Sequence, residues 1–320
     1  MIALPAFKLL RPATLDEAAR LAAEPDARLI AGGTGLLPNL RLGIGKPATL
    51  VSLDALKELG RIDVAAGGWR IGACVSLQKI IDTNELPSAL REAARSIGAP
   101  AHRAAGTLGG NLCLDTRCIY YNQSEHWRRS NNYCLKHGGD TCHVAPQGKT
   151  CRAAYSGDLA PALLVLGAEV ETTSGTRLLE NLYGDDGAKH LNLDGGEIVT
   201  AVRLPAPKGR SGYAKVRQRG AIDYPLAGVA MVLAMRDGRI AQLRVALTGT
   251  NSRPFMLSDT ARLIGATPDN ATAAALVKLV QKQAGPMRTT VTAADYRRQA
   301  AAILARRLLD RLSQGEESWI

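Results

Sequence analysis

The chain of 320 residues reads as an α+β protein of two or three domains. Three observations carry that reading. Short strand-like runs alternate with helical periodicity as far as residue 207, and a strand meander followed by two long helical stretches fills the remainder. A cysteine-rich loop interrupts the first part. With 46% hydrophobic and 22% charged residues the composition is that of a globular chain, which excludes wholesale disorder.

The opening reads β-α-β. Residues 15–23 have helical periodicity, Arg28-Leu29-Ile30-Ala31 is a short apolar strand, and Gly32-Gly33-Thr34-Gly35 follows at once. A glycine-rich turn directly after a strand lets backbone amides approach a phosphate, because no Cβ intervenes and positive φ is free. A purely structural turn has the same signature. The spacing is neither a dinucleotide fingerprint nor a P-loop. Strands at 49–53 and 69–73 and helices at 77–81 and 86–95 come next, then a second glycine-rich stretch, Gly106-Thr107-Leu108-Gly109-Gly110-Asn111. Two such loops could grip the two ends of one pyrophosphate, with Thr107 and Asn111 adding side-chain donors; two unrelated turns are the alternative.

Six cysteines occur, and five of them, Cys113, Cys118, Cys134, Cys142 and Cys151, fall in one stretch. Cys74 lies in a strand and reads as a small apolar residue. The loop from 118 to 151 has no sustained apolar period, yet it holds Tyr120, Tyr121, Trp127 and Tyr133, so disorder does not explain it. A metal centre on Cys118, Cys134, Cys142 and Cys151 would order it by crosslinking. Four thiolates suit tetrahedral zinc or an iron–sulfur cluster. The absence of tight Cys-x-x-Cys pairs favours the cluster, while His126, His137 and His143 keep a Cys/His zinc site open.

After the loop, Ser156-Gly157-Asp158-Leu159-Ala160-Pro161 starts an apolar helix, where Asp158 is placed to cap the helix or to accept hydrogen bonds from a ribose, capping being the simpler reading of a lone residue. Strands at 169–172 and 198–204 precede Pro205-Ala206-Pro207-Lys208-Gly209, the expected domain boundary. Beyond it, strands at 213–217 and 227–235 and a third at 239–249 after an Asp237-Gly238 turn form a meander, and helices at 269–282 and 293–312 close the chain.

The formal net charge is +11, from 40 Lys and Arg against 29 Asp and Glu. Basic residues are scattered except at Arg288, Arg297, Arg298, Arg306, Arg307 and Arg311, which read as a solvated helix face or a surface for an acidic protein. No nucleic-acid motif accompanies them. The apolar runs are too short to span a membrane, and the N-terminus lacks a basic, apolar and small-residue signal pattern, so the expected location is cytoplasmic.

Taken in order, Ile30-Ala31-Gly32-Gly33-Thr34-Gly35-Leu36-Leu37-Pro38, Ile97-Gly98-Ala99, Thr107-Leu108-Gly109-Gly110-Asn111, Ser156-Gly157-Asp158-Leu159-Ala160-Pro161, Lys215-Val216-Arg217-Gln218-Arg219 and Asp223-Tyr224-Pro225 form one pattern. It resembles the FAD-binding medium subunits of the xanthine oxidase family of molybdenum hydroxylases over nearly the whole chain. Most such subunits pass directly from the Gly-Gly-Asn loop to the Ser-x-Asp-Leu segment, whereas about forty residues intervene here. That insert, with Tyr121-Asn122-Gln123-Ser124-Glu125 and Tyr133-Cys134-Leu135-Lys136, is similar to the β subunits of 4-hydroxybenzoyl-CoA reductases.

The resemblance implies a two-lobed FAD-binding (PCMH-type) region, 1–56 and 57–207, with an iron–sulfur insertion at 113–152, followed by a C-terminal domain, 208–320, of antiparallel sheet and helices. It implies FAD held by Leu29, Ile30, Ala31, Gly32, Gly33, Thr34, Gly35 and Leu36 and by Thr107, Gly109, Gly110 and Asn111. Asp158 would bind the ribose or ribityl side, Lys215 would approach the flavin ring, and Tyr224 would cover one ring face. A [4Fe-4S] cluster would sit on Cys118, Cys134, Cys142 and Cys151, leaving Cys113 a non-ligand thiol.

The implied activity is that of an oxidoreductase subunit in a cytoplasmic hetero-oligomer of anaerobic aromatic degradation. Electrons from a ferredoxin would pass through [4Fe-4S] and FAD to [2Fe-2S] clusters on a small subunit and a molybdopterin centre on a large one, for reductive dehydroxylation to benzoyl-CoA. No residue of this chain is a strong acid–base candidate. The rival readings are a medium subunit of another molybdenum hydroxylase such as an aldehyde oxidoreductase, a zinc-stabilised binding protein, and a free-standing flavin oxidase. Neither nucleic acid nor a membrane is an expected partner.

Overall fold

The computed structural model describes residues 3–65, 67–285 and 287–315. The expected spans 1–56, 57–207 and 208–320 include residues 1–2, 66, 286 and 316–320, which lie outside the described residues. The chain opens with β1 (Lys8–Leu10), α1 (Leu15–Ala22), β2 (Ala27–Ile30), α2 (Leu36–Arg41) and β3 (Thr49–Ser52). The three strands form a parallel sheet in the order β1-β3-β2. Thr14 caps α1 by accepting from the Glu17 N–H at 3.2 Å.

A second sheet follows. Strand β4 (Ile62–Ala65) pairs with β5 (Gly68–Gly72), and β5 pairs with a strand that comes after four helices and the insert: α3 (Leu77–Asp82), α4 (Ser88–Arg95), α5 (Pro100–Ala105) and α6 (Leu108–Leu112). The insert contributes one short helix, α7 (Glu125–Ser130), and a single 3-10 turn. Then come α8 (Leu159–Leu166), β6 (Glu169–Thr172), β7 (Gly175–Leu178) and β8 (Val199–Pro205), completing an antiparallel sheet of order β4-β5-β8-β6-β7.

The last part is β9 (Arg210–Val216), β10 (Ala227–Arg236), β11 (Arg239–Thr248), β12 (Phe255–Met256), α9 (Asn270–Gln283) and α10 (Ala294–Gln314). Its sheet has the order β12-β11-β10-β9, and the β10–β11 hairpin turns through Asp237 and Gly238, both at positive φ.

Strand β10 explains why its sequence is apolar without alternation. Ala230 and Val232 join the core beneath α8, whereas Val229, Met231 and Leu233 join the core beneath α9 and α10. Side chains of a strand alternate between faces, so a strand covered on both faces is apolar throughout. Helix α8 is the matching case, with all eight residues buried between the second and third sheets. The core under α8 locks the second sheet to the C-terminal sheet. Among the described residues no helix is long and apolar enough to cross a membrane.

The basic C-terminal helix departs from expectation. Arg297 and Arg311, read as part of a solvated face, are buried. Arg297 donates to the carbonyls of Leu226 (2.9 Å) and Met287 (3.0 Å), and burial lowers its pKa to about 10. Arg311 pairs with buried Glu92 at 2.9 Å, tying α10 to α4. Both charges serve the interior, leaving Arg288, Arg306 and Arg307 exposed.

Candidate functional site

The two glycine-rich loops lie against each other. A side-chain carbon on Gly32 would fall 1.8 Å from the Ala105 carbonyl oxygen, and one on Gly106 would stand 3.4 Å from Thr34 Oγ1. Glycine at 32 is therefore required by close backbone approach, and Gly33 turns the chain at φ +68°. Among the described residues the N–H groups of Gly32, Gly33, Thr34 and Gly35 donate to no protein acceptor, so they remain for an anion. Leu29 instead packs into the core of the first lobe, and Ile30 and Leu36 flank the turn as the end of β2 and the start of α2.

On the second loop the donors divide. Gly109 is buried with its N–H on the Ala73 carbonyl at 2.8 Å, so its missing side chain serves packing against Ala73. Thr107 caps α6, its hydroxyl accepting from Gly110 N–H at 3.1 Å. Asn111 Oδ1 accepts from Leu159 N–H at 2.9 Å, which leaves its amide NH2 to donate elsewhere. Gly110 is exposed on the same rim.

Asp158 precedes α8 but makes no cap bond with its side chain. The reason is a stronger set of partners: its Oδ1 accepts from Tyr213 OH (2.6 Å) and Ser96 Oγ (3.4 Å) and pairs with Lys215 Nζ (3.0 Å). Both charged side chains are 4% exposed. Lys215 is thus not a bare cation but half of a buried ion pair, and it also donates to the Asp223 carbonyl at 3.3 Å. Burial and the adjacent carboxylate push the Tyr213 phenol well above its ordinary pKa, so it remains a donor. Tyr224 is half exposed, and the Arg117 guanidinium lies 4.5 Å from its ring centroid.

The insert closes on itself around four thiols. Cys118, Cys134, Cys142 and Cys151 are all buried and line one small cavity with Tyr120, Tyr121, Lys136 and His143. Each of the four carbonyls accepts in a turn or inter-segment bond: Cys118 from Tyr121 and Asn122, Cys134 from His137 and Gly139, Cys142 from Ala145, and Cys151 from Gly187. Burial pushes the Cys118 and Cys151 thiols up to about 11, so a metal must displace their protons. Among the described residues no three His, Cys, Asp or Glu groups are gathered so as to hold one metal ion. His126 is exposed and His137 lies off the cavity, while His143 lines it with Nε2 on the Tyr133 carbonyl. Cys113, pushed up to about 12 by burial, and Cys74 pack into other cores.

One buried cation organises this insert. Arg128, 1% exposed, donates to the carbonyls of Tyr121, Gln123, Leu42 and Gly43 and pairs with Glu125 at 2.8 Å. It therefore fastens the insert to the end of α2. Nothing in Arg128-Arg129 distinguishes the buried arginine from its neighbour, which is why the sequence reading passed over it.

Two family profiles cover the chain: "FAD binding domain in molybdopterin dehydrogenase" over residues 5–207 and "CO dehydrogenase flavoprotein C-terminal domain" over residues 212–312. The chain belongs to the FAD-binding medium subunits of the molybdenum hydroxylases. It is 33% identical to the FAD-binding subunit of an aldehyde oxidoreductase of Escherichia coli over 79% of this chain and 84% of that one. It is 27% identical to the carbon monoxide dehydrogenase medium chain of Afipia carboxidovorans over 95% and 96%. A crystal structure of a Cu,Mo-CO dehydrogenase superposes with a TM-score of 0.79 at 25% identity, covering 98% of this chain and 99% of that one. These relatives are oxidoreductase subunits, and so is this chain.

Within this medium subunit a polar chain joins Tyr224 to the thiol cavity. Arg117, stacked on Tyr224, donates to Asn39 Oδ1 at 3.0 Å; Asn39 donates to Asp115 at 3.5 Å; Asp115 pairs with Lys136 at 2.6 Å. Lys136 donates further to the Thr116 carbonyl and hydroxyl and lies 4.5 Å from the Tyr121 ring centroid. Arg117 Nε and Nη2 are buried with no partner among the described residues. Two orphaned donors beside Tyr224 fit an anionic or carbonyl-bearing cofactor, since leaving them unmet costs roughly 1–3 kcal/mol each.

Proposed function

We propose that the chain is the electron-transferring subunit that carries FAD and a [4Fe-4S] cluster in 4-hydroxybenzoyl-CoA reductase. The observation that carries this reading is the set of four buried thiols, drawn from an insert between the second glycine loop and Asp158, on the walls of one cavity. Bound there, the cluster supplies one-electron transfer, and FAD exchanges single electrons for pairs. Cys118, Cys134, Cys142 and Cys151 would hold the iron. The amides of residues 32–35 and Asn111 would hold the pyrophosphate. Asp158, paired with Lys215, would accept from a ribose or ribityl hydroxyl, and Tyr224 with Arg117 would bound the ring.

The partners in this reading are a large molybdenum subunit with molybdopterin, a small [2Fe-2S] subunit and a low-potential ferredoxin, to which the exposed Arg288, Arg306 and Arg307 offer positive charge. The reacting aromatic thioester would bind on the large subunit. Identity to the aldehyde oxidoreductase subunit favours a second reading, in which the same cofactors carry electrons away from an aldehyde. The test is the assembled complex. Ferredoxin-dependent formation of benzoyl-CoA supports the first reading; aldehyde oxidation with no such reduction replaces it with the second.

A further inference from the structure

Lys136 is the one Lys, Arg, Asp or Glu among the described residues that line the thiol cavity. The Lys136 side chain is 5% exposed, and its Nζ is held by Asp115 Oδ1 at 2.6 Å and by the Thr116 carbonyl at 3.3 Å. Asp115 is 31% exposed at its side chain, so water screens the anion more than the cation. The geometry fixes the ammonium by hydrogen bonds rather than leaving it on a free stem.

We infer that Lys136 is the residue that sets the reduction potential of the cavity's cluster, holding it above the value the four thiolates alone would give. This rests on the [4Fe-4S] reading above. Reduction adds one electron to a centre already surrounded by four negative sulfurs. A fixed positive charge on the wall favours the reduced form, and Asp115 partly offsets it. Replacing Lys136 removes the cation and leaves Asp115 uncompensated; replacing Asp115 leaves the cation uncompensated. The two changes must shift the potential in opposite directions, which a merely structural role would not produce.

The experiment is an equilibrium redox titration of the anaerobically purified full chain. The cluster is followed by low-temperature electron paramagnetic resonance and the flavin by visible absorbance. Lys136→Met should lower the cluster midpoint by about tenfold in the oxidised-to-reduced ratio at fixed potential, about 59 mV for one electron. Lys136→Arg should restore most of it, and Asp115→Asn should raise it. If Lys136→Met does not retain iron, the sign of the Asp115→Asn shift decides. Unchanged midpoints with full iron, or shifts of the same sign, overturn the inference. A wild-type chain without iron overturns the cluster reading itself, and with it this inference.

Discussion

Lys215 Nζ stands 3.0 Å from Asp158 Oδ1, with both side chains 4% exposed, so the ion pair is sealed in the interior. The pair comes from β9 and the residue before α8, so it bridges two parts of the chain that the Pro205–Gly209 break separates in sequence. Removing one partner of a buried pair leaves the other charge uncompensated and costs about 3–5 kcal/mol. Lys215→Met should therefore lower the urea midpoint clearly, while Tyr213→Phe, which loses one hydrogen bond, should cost about 1 kcal/mol. Equal and small losses would remove the pair from its central place.

The contact of Gly32 with the Ala105 carbonyl makes a second prediction. Gly32→Ala puts a carbon where the gap is 1.8 Å, so the two glycine loops must part. FAD content after desalting should fall several-fold, while the C-terminal sheet, which does not touch this contact, keeps its circular dichroism. Retained FAD would contradict the shared cradle. Gly33→Val, at φ +68°, should act similarly through backbone strain.

Much of the fold was legible in the sequence, for reasons that particular residues make plain. Thr14, the strand-ending glycines and the Asp237-Gly238 turn act locally, so their elements follow from neighbouring residues. The four thiols were legible because cysteines are scarce and these cluster. Asp158 was misread as a cap because its three partners, Ser96, Tyr213 and Lys215, lie more than fifty residues away in the chain. Arg297 and Arg311 were misread as solvated because their acceptors, the Leu226 carbonyl and Glu92, are equally remote. Charges that fold inward carry no local signal, and Arg128 and Lys136 belong to the same class.

Arg128 supplies the third prediction. Arg128→Met removes donors to four carbonyls and one carboxylate. The insert should become the first site of limited proteolysis and retain less of the proposed iron, with the three sheets intact. Arg128→Lys should rescue only partly, because an ammonium cannot reach the planar array that a guanidinium serves. An insert as resistant as wild type would deny Arg128 its organising role.

His190 gives the pH dependence. Its Nε2 is 3.0 Å from the Leu114 carbonyl, and burial, aided by the Lys136 charge, lowers its pKa from 6.5 to about 4. The unfolded chain therefore binds this proton more readily than the folded one between those values. Stability is unaffected by His190 above pH 6.5 and falls as pH drops toward 4, by about 3 kcal/mol in total. Urea unfolding at pH 7.5 and 4.5 should show most of that loss, and His190→Gln should flatten it. A slope unchanged in the variant would assign the effect elsewhere.

The central claim is that the insert exists to hold iron beside a flavin, and metal and flavin analysis of the anaerobically purified chain tests it most directly. The account predicts four iron, four acid-labile sulfide and one FAD per chain, with iron and sulfide largely lost in Cys134→Ser and kept in Cys74→Ser. Zinc in place of iron, or equal iron in the two variants, would contradict it.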